Sequence, residues 1–398
     1  MPRNPNKTNY SGGFPPFFHA FESLTDPRKG GNTRHHFGSI IFMAYTSIIC
    51  GVTKYDLMEE FCDSNAEWFA HWIELPNGTP CGNTFARVFE LIKPESFVQC
   101  IANHLESIQY QHKAQQIAID GKALRGSKSS EHRHIHAVSA WACESGITLS
   151  QTFVSDKSNE ITAIPELLEL LNIEDCVVSI DAMGTQSKIA ACIIDKKADY
   201  LLSVKRNQPE LYDEISNHFE FALKQLSGKK LSSENWSVDQ TVELSHGRDE
   251  TRQTLVCRNL DWMQKDIRKK WKGLNCIILV YRHTILEDGS VRKDTSYYMS
   301  SLTDTKAPEI QGYVRGHWAI ENNCHWVIDT IFREDANQVT NRNSAKNLST
   351  MRRIAHNTLK NAPEISRTKT PASMTKKQLR AAQSIEYREQ CLALLPSV

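Results

Sequence analysis

A carboxylate and two histidines lie on one predicted helix in the last third of the chain. In the stretch "YVRGHWAIENNCHWVIDTIF", His317, Glu321 and His325 recur every fourth residue. An α-helix has 3.6 residues per turn, so Glu321 falls in a stripe of apolar residues with one histidine on either side. A carboxylate on a buried face is usually paired with a cation or bound to a metal ion. Glu321 is therefore a candidate functional residue.

Two aspartates share a second kind of sequence context. Asp120 ends the run "QIAID" and Asp181 ends "CVVSID", and a turn of small residues follows each of them. Open α/β sheets place their sites at the carboxyl ends of strands, so the two side chains would meet if their strands are neighbours. Either aspartate alone could equally be a helix cap or a turn former.

Three carboxylates without a thiolate form a set of hard oxygen donors, which favours Mg²⁺ or Mn²⁺ over Zn²⁺. Two such ions about 3.5–4 Å apart stabilise both the attacking and the leaving oxygen of an in-line phosphoryl transfer. The sequence thus predicts a site for two Mg²⁺ ions, with Mn²⁺ as a substitute, on Asp120, Asp181 and Glu321. A transition-metal site formed by His317, Glu321 and His325 alone is the alternative.

The predicted elements divide the chain into a helical N-terminal part and an α/β part. From Gln116 onwards the pattern is three strands, a helix, a strand, a helix and a strand, which predicts a mixed sheet that is parallel where helices intervene. The expected segments are an all-α N-terminal domain, the first part of the α/β core, a β-rich insertion, the part of the core that carries Glu321, and a basic helical tail: 14–110, 111–225, 226–305, 306–365 and 366–398.

Composition excludes several classes of protein. The chain has 398 residues, of which 40% are hydrophobic and 23% charged, as in globular proteins of two or three domains. It contains no apolar run near the roughly 18 residues that span a bilayer, and its N-terminus lacks the apolar core of a signal peptide. We therefore expect a cytoplasmic protein without membrane contact. The 11 cysteines occur singly, which predicts reduced thiols and argues against a zinc ribbon.

Charge is distributed unevenly along the chain. The net charge is +1, yet residues 333–398 carry 12 Lys and Arg against 5 Asp and Glu. A basic C-terminal part is compatible with one face bound to a polyanion, and a solvated helix surface is the alternative.

Long strings of the sequence resemble the DDE insertion-sequence transposases of the ISAs type, whose close relatives are the H-repeat-associated proteins. The strings that carry the resemblance are "IAIDGKALRGS", "DKSNEITAIPELL", "SIDAMGTQ", "YLLSVKRNQ", "SHGRDETR" and "RGHWAIENNCHWVIDTIFRED". The resemblance implies an RNase H-like core with helices on both faces of its sheet, interrupted by a β-rich insertion. It also implies a catalytic triad of Asp120, Asp181 and Glu321.

The same resemblance implies an enzyme that cuts element ends with Mg²⁺ and joins the freed 3′-hydroxyl to target DNA. Asp120 would bridge two ions, Asp181 would hold one and Glu321 the other. The expected partners are double-stranded DNA, as element inverted repeats and target, and a second copy of the chain, at the nucleoid. The N-terminal domain would recognise element DNA. Two alternatives are a metal-dependent nuclease that does not join DNA and a domesticated DNA-binding protein that no longer cuts.

The chain departs from the pattern Y-x2-R-x3-E-x6-K of the wider group of transposases with a β insertion. His317 stands where the Arg would fall, and Ile328 stands where the Lys would fall. Tyr313 and Arg315 are present but out of register. Either His317 substitutes for the Arg, or Arg315 reaches round the helix.

Basic and polar residues near the three carboxylates are candidate DNA contacts, although each could instead be a solvated charge, and we expect no more than half to touch DNA. The two histidines could orient the carboxylate instead, and Asn159 could cap a helix. Trp318 and Trp326 are predicted to pack in the core. The candidates are Lys122, Arg125, Lys157, Asn159, Lys205, Arg206, Asn207, Arg248, Arg315, His317, His325, Arg342, Lys346, Arg352 and Arg353.

Overall fold

The structure is a computed structural model of the chain. The candidate DNA contact Lys157 lies outside the residues that the structure describes. Those residues are 21, 24–29, 33–99, 115–128, 130, 132–154, 159–225, 235–245, 248–366 and 368–392.

One mixed sheet of nine strands runs through the described residues. Its spatial order is β3-β2-β1-β4-β5-β9-β8-β7-β6. The strands β1, β4 and β5 are parallel, and the other neighbouring pairs are antiparallel. The mixed sheet predicted from the sequence is thereby confirmed. In chain order the strands are β1 (Gln116–Leu124), β2 (Ile135–Ala142), β3 (Ile147–Phe153), β4 (Val177–Ile180), β5 (Asp199–Val204), β6 (Trp236–Ser245), β7 (Arg248–Cys257), β8 (Cys276–Ile285) and β9 (Val291–Ser300).

The β-rich segment extends the sheet of the α/β part. Strand β9 pairs with β5, with Leu201 opposite Ser300 and Val204 opposite Tyr297. The part of β9 before Tyr297 therefore reaches past the carboxyl end of β5. The hairpins β6–β7 and β8–β9 project beyond that edge of the sheet.

Helices cover both faces of the sheet. One face packs against four helices through an apolar cluster that includes Ile119, Ile180 and Phe219. These helices are α5 (Glu160–Glu169), α6 (Ser187–Asp195), α7 (Pro209–Gln225) and α8 (Lys265–Lys270). The opposite face carries α9 (Ala307–Ile320), a five-residue π-helical turn (Glu321–His325), α10 (Trp326–Thr330) and α11 (Arg342–Asn361).

The described N-terminal helices share a hydrophobic core with the last part of the chain. Every residue of the apolar helix α1 is buried. Its neighbours bind α11 directly, since the Tyr55 hydroxyl contacts the Ser344 hydroxyl at 2.6 Å and the Asn347 amide donates to the Phe89 carbonyl at 2.8 Å. The elements concerned are α1 (Phe37–Ile49), α2 (Tyr55–Ser64), α3 (Ala66–Ala70), α4 (Gly82–Leu91), α12 (Met374–Gln383) and α13 (Ile385–Leu392).

The helix over residues 313–332 differs from the prediction in its regularity and in the packing of its two tryptophans. The helix begins earlier, at Ala307, where Pro308 occupies the first turn that tolerates proline. It is also irregular, because the π-helical turn separates α9 from α10. The side chains of Trp318 and Trp326 are 48% and 57% exposed, so neither packs in the core.

Among the described helices, none combines the length and the apolar character needed to cross a bilayer.

Helix α9 crosses β1 so closely that one helical position requires glycine. A Cβ on Gly316 would lie 2.1 Å from the side-chain oxygen of Gln116. The Gln116 amide cannot easily move, because it is buried and donates to the Ser179 hydroxyl at 2.8 Å and to the Tyr313 carbonyl at 2.7 Å. By contrast, a Cβ on Gly312 in the same helix meets nothing within 4 Å.

We expect Gly316→Ala to destabilise the protein by about 1–3 kcal/mol, because the added methyl group overpacks the contact with Gln116. The matched control Gly312→Ala should stabilise it by about 0.5–1 kcal/mol, since alanine favours a helix interior. Urea unfolding of both variants measures the two changes. Equal effects of the same sign would contradict the close crossing.

Candidate active site

The two strand-end aspartates are neighbours at one edge of the sheet. Strands β1 and β4 are parallel with Ile119 opposite Ile180, so Asp120 and Asp181, the next residues, lie side by side at the carboxyl ends. Alternate residues of a strand point to the same face. Gln116 of β1 and Ser179 of β4 contact α9, so both aspartates are on the face that α9 covers.

Glu321 begins the π-helical turn above these aspartates. Partial burial raises the pKa of the Glu321 carboxyl, and the charges of Asp120 and Asp181 raise it further, while His325 and Lys205 act in the opposite direction. The charges of the three carboxylates therefore interact at a single edge of the sheet. The sequence placed Glu321 on a buried face, and this expectation is wrong, because the residue is exposed.

The buried polar residue of this helical segment is His325, which is 8% exposed. Its Nε2 lies 3.1 Å from Oδ2 of Asp120. Burial opposes protonation of the ring, but the hydrogen bond to Asp120 and the neighbouring Cys324 outweigh it and raise the pKa of His325 to about 9. Burial would raise the pKa of Asp120, yet the histidine lowers it. The pair is thus an imidazolium that donates to a carboxylate.

His317 has a different environment one turn before Glu321. Its Nδ1 lies 3.2 Å from the Ser179 hydroxyl. Burial lowers the pKa of His317, and the nearby Asp120 and Asp181 only partly compensate. The ring is therefore neutral at pH 7. Its contact with Ser179 joins α9 to β4 at a position between Gln116 and the two aspartates.

The loop after Asp181 is held by its own hydrogen bonds. The Gly184 amide donates to Oδ1 of Asp181 at 3.2 Å, and the Thr185 hydroxyl donates to the Ser203 carbonyl at 2.6 Å. The side-chain amide of Asn207, a candidate DNA contact, donates to the Ala182 carbonyl. Asn207 therefore supports this loop.

Besides His325, three of the candidate DNA contacts have buried side chains, and the structure argues against that role for them. Lys122 donates to Glu334 at 2.8 Å, and Arg353 donates to the other oxygen of Glu334 at 3.1 Å. Arg352 donates to the Phe332 carbonyl at 3.1 Å. Burial would raise the pKa of Glu334, but Arg353 and Lys122 hold it well below its usual range. Glu334 is not among the predicted site residues, because its pairing partners are more than 18 residues away in the sequence.

The remaining candidates lie on or near the surface. The Arg206 side chain is 79% exposed, and Arg125 is 76% exposed with its Nε 3.5 Å from Asp335. Lys205, Asn159 and Arg248 are also exposed. Arg342 and Lys346 are half-buried, where Arg342 donates to the Arg133 carbonyl at 3.3 Å and the Lys346 ammonium lies over the ring of Phe153.

A cleft of about 460 Å³ separates α9 from the projecting hairpins. Arg315 forms an ion pair with Glu243 across it, with 3.2 Å between Nη2 and Oε2. Arg248 and Arg315 both line this cleft, as does Trp318. Sequence spacing gives no sign of this cleft, because its walls come from segments about 70 residues apart.

The carboxylate site has the donor chemistry of a divalent-cation site. Asp120, Asp181 and Glu321 supply oxygen donors, and their mutual repulsion is only partly offset by His325 and Lys205. Across the described part of the chain, no group of three or more His, Cys, Asp or Glu side chains has a ready-made metal-binding arrangement.

Comparison with known proteins identifies the family. The profile described as "Transposase DDE domain" matches residues 111–358, and the profile described as "DDE_Tnp_1-associated" matches residues 18–105. The chain belongs to the DDE transposase family. The resemblance found in the sequence strings is thereby confirmed, and the matched DDE domain contains all three carboxylates.

Two relatives of this DDE transposase are similar over most of their length. "Putative transposase YncI" of Escherichia coli O157:H7 is 35% identical over 374 residues, which are 93% of this chain and 92% of the relative. "H repeat-associated putative transposase YhhI" of Escherichia coli strain K12 is 32% identical over 374 residues, which are 93% of this chain and 96% of the relative. DDE transposase domains generally use divalent metal ions, and DNA is the partner that the family implies.

The His325–Asp120 pair should make stability depend on alkaline pH in the metal-free protein. The pKa of His325 is about 9 in the folded chain and near 6.5 when unfolded. Its stabilisation is therefore complete below about pH 6.5 and is lost as the pH rises through about 9. We expect His325→Gln to cost about 2–3 kcal/mol at pH 6 and much less at pH 9.5.

Thermal unfolding in EDTA across this pH range measures the difference between variant and wild type. His317→Gln is the matched control, because the pKa of His317 is lowered and its substitution should not produce an alkaline loss. A difference for His325→Gln that stays constant from pH 6 to pH 9.5 would show that the ring is uncharged.

Proposed function

We propose that this DDE transposase cuts DNA at the ends of its element and transfers the freed 3′ end into target DNA, within a core of RNase H-like topology. The observation that carries the proposal is the convergence of Asp120 and Asp181, on adjacent parallel strands, with Glu321 on the helical segment above them. Three far-separated segments thus bring acidic oxygens to one open edge.

Asp120, Asp181 and Glu321 would hold divalent ions, with Mg²⁺ or Mn²⁺ best suited to an all-oxygen donor set. Such ions, when bound, lower the pKa of a water molecule and stabilise negative charge on a phosphate. Glu321 is exposed, so a scissile phosphate carried by a long DNA duplex can reach it without an entry channel.

The residues around the carboxylates position them. His325 donates a hydrogen bond to Asp120 at 3.1 Å and so fixes the orientation of that carboxylate. His317 and Ser179 connect α9 to β4 beneath Glu321. Among the roles that the sequence leaves open for the histidines, which include contact with DNA and orientation of a carboxylate, this geometry favours orientation for His325.

The DNA would lie along the edge that carries the carboxylates. Lys205 and Arg206 follow β5 at this edge and are exposed. Arg248, at the start of β7, is exposed on a hairpin that projects past the same edge. These positive side chains flank the acidic site and can neutralise phosphates on both sides of a cleavage point. Because the element has two ends to be cut, we expect two copies of the chain to act together as a dimer.

Loss of any one carboxylate should abolish most cleavage. Asp120→Asn, Asp181→Asn and Glu321→Gln each preserve shape but remove charge, and we expect Mg²⁺-dependent nicking of element-end DNA to fall by at least about a hundredfold. Binding of the same DNA without metal should persist. Gel assays with a labelled element end measure both quantities.

Glu309→Gln is the matched control, since Glu309 is an exposed carboxylate near the start of α9. It should nick DNA at the wild-type rate. Nicking by Glu321→Gln at the wild-type rate would refute the assignment of the site. Nicking by wild type without strand-transfer product on a plasmid target would instead indicate a nuclease that does not join DNA.

The exposed cations should contribute to DNA affinity through phosphate contacts. We expect Arg206→Ala to weaken binding of all DNA sequences alike and to reduce the slope of log affinity against log salt by about one. Lys272→Ala is the matched control, because Lys272 is a half-exposed cation before β8, at the opposite edge of the sheet. Titration by fluorescence anisotropy at several salt concentrations measures the slopes. Equal slopes for both variants would place DNA elsewhere.

A further inference from the structure

A second charged contact lies beside the Asp120–His325 hydrogen bond and joins the same two elements. Lys122 is two residues beyond Asp120 on β1, and its ammonium donates to Asp329, four residues beyond His325. Side chains two apart on a strand share a face, as do side chains four apart on a helix. The two contacts therefore follow one another along β1 and the helical segment that carries Glu321. Each of them, Asp120–His325 and Lys122–Asp329, is called a rung.

The spacing and the charges of the two rungs match. Two strand residues rise about 6.6 Å and four helix residues about 6.0 Å, so both rungs can form without strain. The signs alternate, because the first rung has its acid on the strand and the second has its acid on the helix. A slip by one rung would oppose Asp120 to Asp329, which is a pair of like charge.

The side chain of Lys122 is held in place by burial and by a second ion pair. Its side chain is 9% exposed, and it also donates to Glu334, whose side chain is 2% exposed, at 2.8 Å. Glu334 in turn accepts from Arg353 of α11 at 3.1 Å. Moving Lys122 would leave Glu334 with a single cation in a buried place, which is costly. Asp329, which is 23% exposed, therefore follows the position of Lys122.

We propose that Lys122 and Asp329 are positioning residues that set the register of the Glu321-bearing segment on the strand of Asp120. The rung acts through Glu321 and touches neither DNA nor a metal ion. Its consequence for the site, the affinity of the three carboxylates for a divalent cation, rests on the proposed function. The inference that Lys122 and Asp329 set the register does not depend on the proposed function.

Asp329→Asn tests the proposal, because it removes the charge of the rung and leaves Lys122 paired with Glu334. Backbone amides of residues 321–331 should exchange with deuterium about tenfold faster than in wild type, as expected for a looser local segment. The dissociation constant for Mn²⁺, measured by calorimetry without DNA, should rise about tenfold, as when the residues that support metal ligands are changed. The unfolding temperature should change little.

Asp335→Asn is the matched control. Asp335 is also near Lys122, at 3.6 Å, and its side chain is 27% exposed, but it lies beyond α10. It should alter neither the exchange of residues 321–331 nor the affinity for Mn²⁺. Equal effects of the two asparagine variants, or wild-type exchange in Asp329→Asn, would overturn the proposal. Faster exchange with unchanged affinity for Mn²⁺ would also overturn it, because the register would not position the site.

Asp181→Asn separates this proposal from the proposed function. It should weaken Mn²⁺ binding while leaving the exchange of residues 321–331 as in wild type. If Asp181→Asn binds Mn²⁺ as wild type does, the carboxylates are not the metal site and the proposed function fails. The comparison of exchange between Asp329→Asn and Asp335→Asn still decides the register.

Discussion

The structure depends on holding three mutually repelling carboxylates at one edge of a sheet. Asp120 and Asp181 are adjacent because their strands are parallel neighbours, and their charges raise the pKa of the Glu321 carboxyl. The protein offsets this repulsion only in part, through His325 beneath Asp120 and the exposed Lys205. The remaining negative potential would favour binding of the divalent cations that the proposed function requires.

The basic residues of the last third support this arrangement from inside the protein. Arg352, Arg353 and Arg388 are 1–2% exposed, so three of the 12 cations in residues 333–398 are unavailable to a polyanion. Arg353 and Lys122 converge on Glu334 instead. A buried acid with two cations fixes the end of the Glu321-bearing segment, and the N-terminal helices close over α11 on the other side.

The sequence predicted the strands well because their apolar runs end at turns, and β1, β4 and β5 carry the expected pattern of a buried parallel sheet. The edge that holds Asp120 and Asp181 follows from that pattern. Helical periodicity failed at Glu321, because a π-helical turn has no signal in residue spacing. Spacing also cannot tell a surface cation from Lys122 or Arg353, whose burial depends on a partner, Glu334, that is distant in the sequence.

The division between an exposed site and a buried support suits a substrate as large as the one in the proposed function. A DNA duplex is too large to be enclosed, so under the proposed function Glu321 has to stay exposed and cannot be held by packing around its carboxylate. Its position must come from the segment that carries it. That segment is held by Ile328 in the core, by His325 and by the buried charges behind it. Rigidity beneath the site thus makes an open active edge possible.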